Sequence, residues 1–447
     1  MARRRLAGWV GEARGPGLAA VLGRGALGNL LVSGAGSLLL VATQAVLARL
    51  LGVGEYGIYA YALTVAQVLA VPAVLGLDTA AVRYAASYRV EERWGLLRGF
   101  FRFAERTALG AAVAVGLAAA AVVWAIGGAL SPRLAPTLWV AFAALPAMAV
   151  VAVRCGALQG QRRVVLARLP DHVLRPLALA GSAALAWSLA GGLRAGEAMA
   201  LYLAASVVAA AVAGWLLGRE LPATARAEPR EARRREWLRV SAPLFLVAQM
   251  RFLLHQTDVL LVGALVGTTE AGIYAAASRL ARLVSFGLLA GNSIAAPLIS
   301  ELHTKGDRPG LQRVVTLASW GATVSSLVFA AVLVAGGGFL LRAFGREFAA
   351  GATVLAILAL GQLVNAATGP VGHLLNMTGH QDANARILGW ITVANAALSW
   401  PAIVAWGPPG AAAVTSALVA VKNLWTWWVV RRRLGVDSSI FAPGRPR

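Results

Sequence analysis

The sequence predicts an all-α polytopic membrane protein, with twelve transmembrane helices arranged as two parallel six-helix repeats. Composition, recurrent long apolar segments and a duplicated motif carry that expectation. Of the 447 residues, 59% are hydrophobic and only 13% are charged, and the mean hydropathy is +0.69. Soluble domains carry about 25% charged residues, so this chain is suited to lipid. Apolar segments of roughly 20 residues, long enough to cross about 30 Å of hydrocarbon as helices, recur from end to end.

Segments 26–48 and 57–77 come first, separated by the short loop from Arg49 to Tyr56. The first follows Arg3, Arg4 and Arg5, but it is too long for a signal-peptide core and lacks a small-residue cleavage site, so it is expected to be retained. Segments 104–127, 136–157, 173–191 and 197–218 complete a first set of six. A connection follows from Arg219 to Arg239, mixing Arg and Glu with Pro222 and Pro229; such a stretch suits a solvated linker lying against anionic headgroups. Segments 241–265, 272–298, 314–336, 349–372, 385–405 and 410–430 form the second set. The expected organisation is a segment 1–25, a lobe 26–218, a linker 219–240, a lobe 241–430 and a tail 431–447.

A net charge of +22 raises the question of nucleic acid, and the placement of the charges answers it. Alternate connections hold most of the 41 lysines and arginines: Arg83 to Arg106, Arg154 to Arg175, Arg219 to Arg239, Lys305 to Arg313, and Arg431 onward. The opposite loops hold only Arg49, Arg133, Arg194, Arg342 and Arg346. This is the positive-inside pattern, which puts both termini in the cytoplasm of a cell inner (plasma) membrane protein and makes nucleic acid unnecessary as a partner. The single Cys155 excludes an intramolecular disulfide and a Cys-rich metal site, and neither cofactor nor metal is expected.

The chain also contains itself twice. LLGVGEYGIYA (Leu50 to Ala60) is echoed by LVGTTEAGIYA (Leu265 to Ala275) at a constant offset, with Glu55, Ile58 and Tyr59 matching Glu270, Ile273 and Tyr274. A weaker echo sets LQGQ from Leu158 against MTGHQ from Met377. Six spans separate the copies, an even number that returns the chain to the same side, so the repeats are parallel. Parallel halves related by an axis along the membrane normal place a substrate site between them.

LARLLGVGEYGIYAYA (Leu47 to Ala62), GLDTAAVRYAA (Gly76 to Ala86), QTDVLLVGALVGTTEAGIYAAASRL (Gln256 to Leu280) and LLNMTGHQ (Leu374 to Gln381) are similar to patterns of the polysaccharide transporter family. That oligosaccharide flippase family shares a superfamily with multidrug and toxin extrusion (MATE) proteins and the lipid II flippase. The resemblance implies a MATE-like fold, a cavity opening alternately to each side, and a polyprenyl-pyrophosphate-linked glycan as cargo, moved to the outer leaflet for cell-surface polysaccharide such as O-antigen or lipopolysaccharide. Membrane lipids, a glycan polymerase and glycosyltransferases are its implied partners. The lipid II flippase pattern has fourteen spans, against twelve here.

Arg251, His255 and Asp258 are spaced i, i+4, i+7 in the seventh span, on one helical stripe. Arg279 and Arg282, spaced i, i+3, lie at matching depths on the antiparallel eighth span. A lone mid-membrane charge costs about 2.5–3.5 kcal/mol on insertion scales, and such residues face a bundle interior or a wet cavity. In one reading Asp258 pairs with Arg279 or Arg251 and pins the two helices. In the other, Arg251, Arg279 and Arg282 outnumber the acid and bind pyrophosphate, which guanidinium groups recognise bidentately. His255 and Asp258 are candidates for charge balance or a coupling proton.

On the first span Asn29, Ser33 and Ser37 recur at i, i+4, i+8, and on the second Thr64 and Gln67 occupy the places of Arg279 and Arg282. These five are candidate sugar contacts, although small-residue packing accounts equally for the first three. Lys422 reads as a snorkelling residue. Asn365, His373 and Asn376 read as helix-end contacts, Arg83 and Tyr84 as a headgroup anchor, and Trp425, Trp427 and Trp428 as an interfacial belt.

A drug or small-cation exporter of the same fold would want acidic cavity residues. A membrane glycosyltransferase or polymerase would need a substantial loop with acid, base or metal ligands, whereas the loops opposite the basic connections are short. No nucleophile elbow, phosphate loop or zinc motif is present, so an enzyme is not expected. A passive scaffold would leave the intramembrane charges without a role. Reporter fusions in the 219–240 linker and after Arg433 should report the cytoplasm, and fusions at Arg133 and Arg342 the other side; the reverse pattern would invert the topology.

Overall fold

The structure, a computed structural model, describes residues 18–126, 128, 130–221, 228, 229 and 231–440, with side chains from Gly34 onward except at a few positions between 247 and 304. Hydrocarbon offers backbone amides no water, so spanning segments close their hydrogen bonds within helices. The first two are α1 (18–51) and α2 (53–74), one continuous stretch broken at Gly52, whose φ of 74° and ψ of 169° are not helical. The short α3 (Leu77–Val90) follows a left-handed turn at Leu75 and Gly76. Then come α4 (Trp94–Ala125), α5 (Leu134–Gly160), α6 (Val164–Ala190) and α7 (Ala195–Glu220).

The second set is α8 (Arg234–Leu265), α9 (268–304), α10 (Arg308–Leu341), α11 (Arg346–Ala367), the short α12 (Val371–Met377), and α13 (381–406) with α14 (408–434), which are joined at a break on Gly407. Among the described residues, nine helices are long and apolar enough to cross a membrane by length and composition. Two of these are each a pair of crossings, divided at Gly52 and Gly407. With α9, which a 3₁₀ turn at Arg282–Ser285 interrupts, the crossings number the expected twelve.

Several helices start well before their apolar windows: α4 at Trp94 rather than 104, α6 at Val164 rather than 173, and α8 at Arg234 rather than 241. Apolar windows mark the hydrocarbon, whereas a helix keeps its hydrogen-bond ladder into the headgroup layer. Outside the connection 219–239, the basic connections are therefore largely helical among the described residues, and they define a basic face of the bundle. In α6 the added length contains a π turn at Pro170–Leu174, since Pro170 and Pro176 lack amide donors.

The two copies of the duplicated motif meet at the face opposite the basic one. A Cβ on Gly57 would stand 2.3 Å from the carbonyl oxygen of Thr268, and one on Gly272 would stand 2.6 Å from Cα of Gly57. Tyr61 lies over Gly263 in the same way. Arg49 Nε donates to the Ala343 carbonyl at 2.7 Å, and the Tyr56 ring meets Phe348 edge-on at 5.4 Å. Within the first half, Glu55 accepts from Arg133 at 2.6 Å and from the Ala195 amide at 2.8 Å, tying three helix ends together. That face is closed by backbone contact.

The chain linking the halves is bound to α4. The Gly95 amide donates to Glu228 Oε2 at 2.7 Å, and Glu231 N donates to the Gly95 carbonyl at 3.2 Å. A Cβ on Gly99 would come 1.7 Å from the Glu231 carbonyl oxygen. Trp237, fully buried, then packs between Phe100 and Phe103 and donates to the Tyr88 hydroxyl at 3.0 Å. Overpacking at a tight backbone contact costs about 1–3 kcal/mol. Gly57→Ala and Gly99→Ala are each expected to lower the melting temperature of the purified protein, while Gly54→Ala, with nothing near its added Cβ, leaves it unchanged; equal melting of all three would refute these contacts.

Candidate functional site: a cation-lined cavity between the halves

A cavity of about 570 Å³ lies between the two halves. α1, α2, α6 and α7 line it from one side, and α8, α9 and α11 from the other. At a 1.5 Å rise per residue, its lining runs from Val259, six residues from the closed end of α8, to Leu289, far along α9 toward the basic face. It thus occupies the middle of the bundle and the half nearer the basic face.

Arg279, Arg282 and His255 all line this space, as do Ser37, Thr64 and Gln67. Arg279 is half-buried, and its Nη1 donates to the Tyr56 hydroxyl at 2.7 Å; that hydroxyl donates in turn to Gln44 Oε1 at 3.2 Å. Arg279 therefore links α9 to the first half. Arg282, three residues on, is exposed to the cavity, and among the described residues its partner is its own-helix Ser278, at a long 3.4 Å. Arg282 opens the 3₁₀ turn. His255 is also exposed, and Arg282, Lys422 and Arg251 act on it electrostatically. Gln256 Nε2 donates to Gln67 Oε1 across the halves at 3.1 Å, and the Thr64 hydroxyl is spent on its own helix at the Ala60 carbonyl. Asn29 and Ser33 lie on α1 outside the residues whose side chains are described.

The stripe on α8 divides. Residues three apart differ by about 60° around a helix axis, enough to send Asp258 away from the cavity. Its carboxylate is buried between α9, α13 and α14, and Oδ2 accepts from the Tyr274 hydroxyl at 2.6 Å and from Thr415 Oγ1 at 2.7 Å. Asn395 Nδ2 supports Thr415 at 2.7 Å. Among the described residues Asp258 forms no ion pair, so hydroxyls, not the arginines, hold it. Asp258 Oδ1, Asn395 Oδ1 and Ser399 Oγ are buried there without partners. Arg251 is outside the cavity lining, exposed toward the basic face, where it acts on Asp78 and His373.

The first half also brings charge to the cavity. Arg175 lines the cavity, paired with Asp171 at 2.6 Å and set over the Tyr202 ring at 5.1 Å. The π turn of α6 carries both residues into the bundle; their i, i+4 spacing between Pro170 and Pro176 was the available signal. Asn365 also lines the space, where a helix-end contact was expected: it accepts from Asn423 and donates to Gln362, which in turn accepts from Ser285.

The family description "Polysaccharide biosynthesis protein" matches residues 22–303, well over half of the chain. The chain belongs to that family. A second description, MatE, matches residues 243–400 of this polysaccharide biosynthesis family member. No curated protein sequence matches it. Among solved structures, an inward-facing MATE-family multidrug resistance transporter of the MOP superfamily is similar with a TM-score of 0.73 at 13% identity, covering 92% of this chain and 98% of that one. The lipid II flippase MurJ in an inward closed conformation gives 0.67 at 14%, covering 90% and 87%. The MATE multidrug transporter DinF-BH gives 0.67 at 15%, covering 95% and 97%. The fold of this family member is therefore that of MATE-like transporters and flippases.

Removing a buried acceptor leaves its donors unsatisfied at about 1–3 kcal/mol. Asp258→Ala should lower the melting temperature clearly, whereas His255→Ala, exposed in the cavity, should not; the opposite order would show that Asp258 is not held as described.

Proposed function

We propose that the chain is an alternating-access flippase that moves a polyprenyl-pyrophosphate-linked oligosaccharide from the cytoplasmic to the outer leaflet of the cell inner membrane, for cell-surface polysaccharide synthesis. In this reading the basic face is cytoplasmic, the lobes are 26–218 and 241–430, and the linker and both termini are cytoplasmic. The chain carries no chemistry of its own and works beside glycosyltransferases and a polymerase.

The cavity lining carries the reading. Arg279, Arg282, Arg175 and His255 surround a space whose one carboxylate partner among the described residues, Asp171, is already paired. Among those residues Arg282 presents its guanidinium free of any acid, and guanidinium groups keep their charge when desolvated and grip phosphate oxygens bidentately. Arg251, closer to the basic face, suits a first encounter with the pyrophosphate. The amide and hydroxyl groups of Ser37, Gln67, Gln362 and Asn365 suit sugar. An organic cation, as carried by a drug exporter, would meet repulsion from this lining.

Asp258 is the coupling group. Its Oδ1, Asn395 Oδ1 and Ser399 Oγ are buried without partners, so a proton on the carboxyl would add a donor to a group rich in acceptors, and its loss would unsettle the contacts among α8, α13 and α14. His255 then balances charge in the cavity as the anion arrives.

Losing charge-assisted hydrogen bonds worth about 1.5–3 kcal/mol each should slow flipping by roughly tenfold or more. In vesicles holding purified protein and a fluorescent polyprenyl-pyrophosphate oligosaccharide, Arg282→Ala is expected to lose most flipping with its melting temperature unchanged. Asp258→Asn should keep flipping but lose its response to a proton gradient. Wild-type rates in Arg282→Ala, or export of organic cations in place of the lipid, would refute the reading.

A further inference from the structure

A second cavity, also about 570 Å³, opens at the basic face between α4 and the linker that joins the halves. Gly99, Arg102, Phe103, Arg106 and Thr107 of α4 line one wall, and Glu231, Ala232 and Arg234 the other. Three guanidinium groups thus face one carboxylate. Among the described residues Arg102, Arg106 and Arg234 make no ion pair, and nearby Glu105 is taken by Arg154 at 2.6 Å.

The position along α4 identifies what these cations would meet. Arg102, Arg106, Leu109, Val113 and Leu117 follow each other at steps of four, three, four and four residues, which places all five on one face of the helix. The three apolar members are exposed, Leu117 most of all at 66%. They are the stretch of α4 that hydrocarbon covers. Arg106 stands about 4.5 Å of helix rise before Leu109, which is headgroup depth. A single amphiphile lying along this face would put acyl chains on Leu109, Val113 and Leu117 and its phosphate among the three arginines.

We infer that the cleft between α4 and the linker is a binding site for the phosphate of an anionic membrane lipid, held by Arg102, Arg106 and Arg234 above the apolar stripe of α4. It is separate from the central cavity and independent of what that cavity carries. The lipid joins the first half, through α4, to the segment leading into the second, through Arg234 at the start of α8. Glu231 opposes it and sets a limit on affinity.

The full-length protein is titrated with phosphatidylglycerol and, separately, phosphatidylcholine, and bound lipid is counted by native mass spectrometry. One phosphatidylglycerol should be retained in preference to phosphatidylcholine. With each basic residue near a charged surface contributing about a fivefold factor, the double variant R102A/R106A should bind it about 30-fold more weakly, and E231Q about fivefold more tightly. If the double variant is not recovered folded, R234A, on the surface, supplies the same readout. Equal retention of the two lipids, wild-type affinity in the arginine variants, or unchanged or weaker binding in E231Q would overturn the assignment. So would displacement by glycerol phosphate as effective as by the lipid, which would mark a site for small anions without use for the apolar stripe.

Discussion

The close approach of two backbones at Gly57 and Gly272 is the contact on which the architecture depends. In lipid, helices gain little from burying apolar surface against each other, so association rests on short-range packing that small residues permit. Both glycines belong to the duplicated motif, and they bring α2 and α9 together at the face opposite the basic one. Arg49 on Ala343 and Tyr56 on Phe348 complete the closure. With the halves joined there, the space between them survives only in the middle and toward the basic face. The central cavity is a consequence of where the small residues are.

Charge in the bundle follows a division of labour. Groups that are buried are matched: Asp258 by hydroxyls, Arg175 by Asp171, and Arg279 by the Tyr56 hydroxyl. Among the described residues Arg282 and His255, the groups most exposed to the cavity, have no acidic partner. Duplication makes the contrast legible, because Thr64 and Gln67 hold neutral side chains at the positions of Arg279 and Arg282. Thr43, in the place of Asp258, merely donates to the Pro176 carbonyl at 3.3 Å. At these positions the first copy is polar and the second ionic.

The number of crossings was legible because hydrocarbon imposes a length that any apolar window detects. The charged residues of α8 and α9 stood out for the same reason, since their cost in lipid marks them wherever they fall. Helix starts were less legible: Trp94, Val164 and Arg234 lie in basic sequence that reads as loop until the headgroup layer is allowed to hold helix. Arg175 was hidden by this, counted with a basic connection although the π turn at Pro170–Leu174 carries it into the bundle. The separation of Asp258 from the arginines depended on Tyr274, Thr415 and Asn395 from three other helices, a convergence no spacing along one helix reveals.

The seating of Glu228 and Glu231 on Gly95 and Gly99 has a mechanical corollary. It fixes the chain just ahead of α8 on α4, and Trp237 wedges the first turn of that helix against α4. On this flank the halves share a fulcrum, so any spreading at the basic face must be a swing about α4 rather than a parallel separation. The aperture would therefore widen like a door, least beside its hinge post and most on the far flank, where the Phe286 ring of α9 rests on Gly34 of α1 and would have to part from it.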